Sequence, residues 1–255
     1  NNDGNLDIYV TMRSSANYLF HNNGDGTFTD VAEDMGVADA SNDGAGVAVA
    51  DYNNDGFMDI FLANADDDKL FRNIGGDIYL DITIDAGFNW NDDSRGTSAS
   101  WGDYNDDGHL DLYVVNYQPV IGSTNSSSVD KLYRNNGNET FTDVSDLLID
   151  AGDISGAGFI ATWTDYDRDG DLDIFLVNDC LPPYLVPTRL FRNDGDTHPT
   201  LSWNFTEVSD DTGVNDCSNG MGVSVGDYNR DGWMDVFYTN IAEVNLFKNL
   251  MVRCH

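Results

Sequence analysis

Five times along the chain the same acidic phrase returns: NNDGNLDIYV, DYNNDGFMDIFLAN, DYNDDGHLDLYVVN, DYDRDGDLDIFLVN and DYNRDGWMDVFYTN. Asp3 and Asp55 are 52 residues apart, as are Asp55 and Asp107; Asp107, Asp169 and Asp231 follow at intervals of 62. A fixed period of this size marks a solenoid, a propeller or an array, because each unit buries its core only against its neighbours. Each copy couples a glycine-centred polar turn to an apolar, β-branched run, so one short segment carries both a candidate ion site and a strand.

The turn has the donor pattern of a hard-cation loop. Counting from Asp51, oxygen-bearing side chains fall at positions 1, 3, 5 and 9 (Asp51, Asn53, Asp55, Asp59), with Gly56 at position 6. The pattern returns as Asp103, Asn105, Asp107 and Asp111, as Asp165, Asp167, Asp169 and Asp173, and as Asp227, Asn229, Asp231 and Asp235. The first copy enters mid-loop and supplies Asn1, Asp3 and Asp7. Calcium takes six to eight oxygens at about 2.3–2.6 Å, which carboxylates, a carbonyl and water can provide. The carbonyl of position 7 is the expected extra ligand: Asn5, Phe57, His109, Asp171 and Trp233 stand there. The expectation is Ca2+ at four full sites and one partial site. An EF-hand needs Glu at position 12, which is here Leu62, Val114, Leu176 or Tyr238. Magnesium favours an octahedral, water-retaining shell, and zinc prefers nitrogen and sulfur. The competing reading, Asx-rich turns with no ion, loses force with each copy found in register.

Composition fits this picture. There are 45 acidic residues against 12 basic ones, a formal charge of −33, and 15 of the aspartates stand in the loops. Five calcium ions would bring the charge to about −23. Such a surface repels nucleic acid and anionic membranes. With 40% hydrophobic and 12% aromatic residues the chain can bury a core, which argues against disorder. No stretch is long or apolar enough for a membrane-spanning helix.

Four strands are expected per repeat. A glycine-punctuated segment (GAGVAVADY, GTSASWGDY, GFIATWTDY, GMGVSVGDY) precedes the loop, and the apolar run follows it. Next come YLFHNN, KLFRNI, KLYRNN, RLFRND and NLFKNL, and then FTDV-type segments beyond polar hairpin turns. Four antiparallel strands per unit define a propeller blade. The expected fold is an all-β propeller with the calcium loop between the first and second strand of each blade. The expected division is a single propeller domain or fragment over 1–255, with a partial blade 1–37, blades about 38–88, 89–150 and 151–214, and a partial blade 215–255.

The phrase GxxxxDYNxDGxxDxxxxN followed by LxRNNGxGTFTDV resembles the FG-GAP/VCBS-type calcium repeat of the cartilage acidic protein and ASPIC/UnbV group, and more distantly the integrin α-subunit propellers. The resemblance covers essentially the whole chain. It implies that the aspartates and asparagines above are calcium ligands. Propellers of this family usually have seven blades, whereas three complete and two partial repeats are present here. The acidic C-terminal module that often follows in the ASPIC/UnbV group is missing. The chain is therefore expected to be part of a seven-bladed ring, with completion by neighbouring subunits, as in a filament, as the alternative.

In a propeller, Cys180 and Cys217 fall on one face of adjacent blades, so a Cys180–Cys217 disulfide is expected; Cys254 is left without an assigned partner. Oxidised cysteine together with weak calcium loops implies an extracellular, secreted or cell-surface setting. Asn125, Asn138 and Asn204 stand in N-x-S/T sequons and are candidate glycosylation sites. Two repeats carry insertions, NYQPVIGSTNSSSVDK and NDCLPPYLVPTR, on the face opposite the loops, where binding often resides. Trp101 and Trp163 are expected to pack between blades rather than stack on sugars. The histidines form no catalytic grouping. The functional expectation is adhesion, matrix or assembly contact with a protein or glycan, without catalysis. The alternative is a calcium-dependent polysaccharide lyase.

Overall fold

The computed structural model describes residues 2–40, 43–75, 78–88, 95–117, 129–150, 157–180, 185–197, 203–241 and 244–247. Cys254, Asn125, Asn1, Trp90, Lys248, His198 and His255 lie outside them. Among the described residues, eighteen strands form five antiparallel sheets. The first holds β1 (Ile8–Val10), β2 (Tyr18–Asn22) and β3 (Phe28–Asp30). Three four-stranded meanders follow. They are β4 (Gly44–Ala50), β5 (Asp59–Asn64), β6 (Lys69–Asn73) and β7 (Tyr79–Asp81); then β8 (Gly96–Gly102), β9 (Asp111–Asn116), β10 (Lys131–Asn135) and β11 (Phe141–Asp143); then β12 (Gly158–Thr164), β13 (Asp173–Asn178), β14 (Arg189–Asn193) and β15 (Phe205–Glu207). The last sheet holds β16 (Gly220–Gly226), β17 (Asp235–Asn240) and β18 (Val244–Phe247). Among the described residues, helix is confined to two single turns, α1 (Asp146–Asp150) and α2 (Ser209–Thr212). These are propeller blades, and β4, β8, β12 and β16 lie side by side as their innermost strands.

In the three four-stranded blades the apolar run after the loop is buried on both faces, which is why it lacks the polar alternation of a one-sided sheet. Its two faces serve different neighbours. Ile60 and Leu62 pack with Leu19 of the first sheet and with Ala32 and Val37 of the connection that follows it, whereas Phe61 and Ala63 pack with Leu112, Val114 and Tyr133 of the third sheet. The same division returns in β9, where Tyr113 and Val115 meet Ile174 and Leu176, and in β13, where Phe175 and Val177 meet Val236 and Tyr238. The core is thus four clusters, each sandwiched between consecutive sheets. Each buried Leu, Ile, Val or Phe contributes about 1.5–3 kcal/mol.

Small residues in the innermost strands follow from crowding near the axis. A Cβ on Gly46 would meet the Thr97 carbonyl oxygen of the next sheet at 2.5 Å. Aromatics fill the gaps farther along these strands. Trp101 stacks on Tyr52 of the preceding blade (centroids 5.9 Å apart), and Trp163 donates from Nε1 to the Ser100 carbonyl at 3.1 Å. Both tryptophans are therefore inter-blade packing residues. Cys180 is bonded to Cys217, with Cα atoms 5.2 Å apart, and ties the strand end after β13 to the connection leading into β16. Among the described residues, no helix is long and apolar enough to cross a membrane.

Candidate metal centres

In each of the four complete loops the strand register fixes the two ends. Ala50 pairs with Asp59, Gly102 with Asp111, Thr164 with Asp173 and Gly226 with Asp235, so position 9 always opens the second strand at the loop's base. Between these anchors two positions take the left-handed region. Glycine at position 6 has φ between 84° and 101° in all five copies. Position 4 is left-handed too, at Asn2, Asn54, Asp106, Arg168 and Arg230, with φ between 53° and 61°. These two reversals curl the loop, and in three of the loops the side chains of positions 1 and 3 both turn onto the N–H of position 5.

The carboxylate at position 9 is deeply held. Asp59 accepts from the backbone N–H of Asn73 at 2.7 Å and of Tyr52 at 3.3 Å. Asp111 accepts likewise from Asn135 and Tyr104, and Asp173 from Asn193 and Tyr166. Burial pushes Asp59 up to about 7, against the lowering pull of those N–H bonds and with further raising from Asp55 and Asp51. Asp111 and Asp173 are pushed to about 8 by the same balance, burial first. Burial raises Asp167 as well, with the charge of Asp169 next. These carboxylates sit in an environment that favours a compensating positive charge.

The loops differ in how they use position 1. Asp51 accepts from the N–H groups of Asp55 (2.9 Å) and Gly56 (2.8 Å), while Asn53 Oδ1 accepts from Asp55 at 3.1 Å. Asp103 and Asp227 do the same in their own loops. At position 5, Asp55, Asp107, Asp169 and Asp231 each accept from the N–H of position 7. An ionised carboxylate has about four lone-pair sites, so such bonds leave oxygen capacity for a cation. The fourth loop is arranged otherwise. Asp165, Asp167 and Asp173 each bring an oxygen within 4.8 Å of the others, the only such group of three among the described residues. Asp165 Oδ1 and Asp167 Oδ1 are buried with no hydrogen-bond partner. Oxygens on opposite sides of one calcium lie at most about 5 Å apart, so this group fits the ion, and its all-oxygen donor set suits no softer metal.

Position 7 has a second use beyond the carbonyl expected of it. Its side chain lies over the glycine of the hairpin between the third and fourth strands. A Cβ on Gly75 would come within 2.9 Å of Phe57 Cζ, and one on Gly137 within 2.6 Å of His109 Nε2. Asn5 covers Gly24 and Asp171 covers Gly195 in the same way.

Two residues of the third strand belong to the site although the repeat LFRN reads in sequence only as a strand signature. The first is the basic position. His21 Nδ1 lies 3.1 Å from Asp7, with Nε2 4.0 Å from Asp3. Arg72, in the same place one blade on, lies 3.6 Å from Asp55 and 2.7 Å from Glu139 of the following blade. The second is the asparagine. Asn135 Nδ2 donates to the Tyr52 carbonyl of the preceding loop at 2.9 Å, and Asn193 Nδ2 to that of Tyr104 at 2.8 Å. The loops also touch in sequence: Asn2 donates to the Gly56 carbonyl, Asn54 to that of Gly108, and the Arg168 guanidinium sits 5.1 Å from the Trp233 ring centroid. Of the sequon asparagines, Asn138 is exposed in the β10–β11 turn, and Asn204 donates from Nδ2 to Asp194 at 3.2 Å.

The FG-GAP-like repeat profile matches residues 1–62, 51–114 and 120–176. The chain is 31% identical over 180 residues to cartilage acidic protein 1 of Xenopus tropicalis and to that of Homo sapiens, alignments that take in 69% and 67% of this chain. They cover 27% and 25% of those proteins, so the chain spans about a quarter of the length of these relatives. Among solved structures, an Agrocybe aegerita lectin described as recognising non-reducing terminal N-acetylglucosamine superposes with a TM-score of 0.54. Its sequence is 20% identical, and the match covers 97% of this chain and 61% of the lectin.

Proposed function

The chain belongs to the FG-GAP-like repeat family, and from that premise we propose that it is an extracellular, calcium-stabilised propeller that binds protein or glycan partners rather than catalysing a reaction. The observation that carries this reading is the buried position-9 carboxylate, held by the same two backbone donors in three successive blades beneath a curled all-oxygen loop. Calcium bound there would supply the positive charge that offsets the clustered carboxylates. The protein's own contribution is preorganisation. Asp59, Asp111 and Asp173 anchor their three loops to their sheets, and Asn135 and Asn193 fasten the loops of Tyr52 and Tyr104 to the next blade.

The disulfide supports an oxidising, extracellular setting. Binding to partners is assigned to the face opposite the loops, where β9 and β13 end and the longer connections of the sequence begin. The lectin's recognition of a sugar supports a glycan as one class of partner.

Thermal melting with and without excess chelator tests the calcium role. A ligand at about 100 times its Kd adds about 2.7 kcal/mol per site, and a chain of this size shifts by about 2–4 °C per kcal/mol. Filling several sites should therefore raise the melting temperature by about 10 °C or more, reversibly. A melting curve that chelator leaves unchanged would defeat the reading.

A further inference from the structure

At the end of the sheets away from the metal loops, a cavity of about 250 Å³ opens across the first three blades. Arg13, Asp43, Ala45, Arg95, Thr97 and Tyr117 line it. Two arginines at one cavity stand out in a chain with 12 basic residues against 45 acidic ones. Both are exposed. Among the described residues neither is in an ion pair, whereas Lys69, Arg72, Lys131, Arg189 and Arg192 each contact a carboxylate.

The other polar groups of the cavity are already committed. Thr97 Oγ1 donates toward the Val115 and Gly158 carbonyls, and the Tyr117 hydroxyl donates to Asp179 at 3.0 Å. Asp43, the one lining carboxylate, accepts from the Ser14 N–H at 2.9 Å, beside Arg13. The backbones that carry the arginines are fixed as well: Gly44 N–H donates to the Met12 carbonyl, and Tyr117 N–H to that of Arg95. Two guanidiniums on anchored backbone remain as the available donors, opposed by one carboxylate.

We propose that this cavity binds the carboxylate of an acidic sugar residue, a uronate. A guanidinium fork matches the planar carboxylate with paired N–H donors. The volume lies just below the range of cavities for drug-sized ligands, which suits a single sugar unit, and Tyr117 and Ala45 supply apolar wall for its ring. The inference rests on the glycan-contact reading above and names its ligand class; it does not depend on the metal loops.

The test is a saturation-transfer NMR titration of the 255-residue chain in excess calcium. The probes are glucuronate, glucose and a short acidic peptide, applied to the unmodified chain and to Arg13→Gln and Arg95→Gln. Glucuronate should bind at least about tenfold more tightly than glucose. Each substitution should weaken it by about tenfold, the scale of one hydrogen bond to a charged group. The melting temperature of each variant should be unchanged, since both side chains are exposed. Equal affinity for glucose, full affinity in both variants, or binding of the peptide but not of glucuronate would each overturn the proposal. So would glucuronate binding that chelator abolishes and the substitutions spare, because the carboxylate would then sit at a metal loop. Arginine-dependent binding in a protein whose melting ignores chelator would leave this proposal standing and remove the calcium one.

Discussion

Replacing Asn193 by alanine should reveal how much of the stability resides in the fastening of one blade to the next. Asn193 is fully buried and its carboxamide makes three bonds: to the Tyr104 carbonyl of the preceding blade (2.8 Å), to the Leu172 carbonyl (3.3 Å) and from the Gly195 N–H (3.1 Å). Asn73 is its counterpart two blades earlier. It bonds the Met58 carbonyl and accepts from Gly75 N–H, and the loop position that Tyr104 occupies opposite Asn193 falls before residue 1 of the 255-residue chain, so in this chain it has no such carbonyl to hold. The two substitutions thus share every local loss and differ by one inter-blade bond. A net hydrogen bond contributes about 0.5–1.5 kcal/mol, and an orphaned buried carbonyl costs about 1–3 kcal/mol. Asn73→Ala should therefore destabilise by about 2 kcal/mol and Asn193→Ala by about 3.5 kcal/mol. The difference of about 1.5 kcal/mol corresponds to about 3–6 °C in melting temperature at this chain length. Urea and thermal denaturation of both variants at one fixed calcium concentration measure it. Equal losses would refute the assignment of Asn193 as an inter-blade fastener.

Three further outcomes are expected. Cys180→Ser removes a cross-link between residues 37 apart, so loop entropy alone gives a loss of about 4 kcal/mol; an unchanged denaturation midpoint would contradict that. Asp167→Asn gives the fourth loop the composition of its neighbours. Exchanging a ligating carboxylate for a neutral carboxamide should weaken calcium at that loop by at least about tenfold, read as one weakened site in a calorimetric titration. Expression in a glycosylating secretory host should place glycan on the exposed Asn138 in preference to Asn204, whose carboxamide nitrogen is engaged with Asp194; peptide mapping that finds Asn204 alone modified would reverse this assignment.

The local features were legible because their determinants lie within a few residues of one another. Position 9 of each loop must reach positions 1, 3 and 5 across a glycine, and the adjoining run must be apolar on both faces, so the phrase DYNNDGFMDIFLAN specifies loop and strand together. The Cys180–Cys217 pairing followed once the blades were counted, since both cysteines then fall on one face. The role of LFRN was not legible. Its arginine and asparagine act on carboxylates and carbonyls of other segments, and nothing in a single repeat says that Asn193 answers to Tyr104, 89 residues earlier.

Sequence by itself thus determined the repeating unit: acidic loop, apolar strand, hairpin and the small-residue strand before the loop. Tertiary structure alone decided which residues meet between units. It sent Ile60 to one neighbour and Phe61 to the other, set the third-strand asparagine against the preceding loop, and brought Arg13 and Arg95 to one cavity. The physical reason is range. Ligand spacing and strand alternation are enforced by adjacent bonds, whereas contacts between blades depend on the twist and stacking of whole sheets.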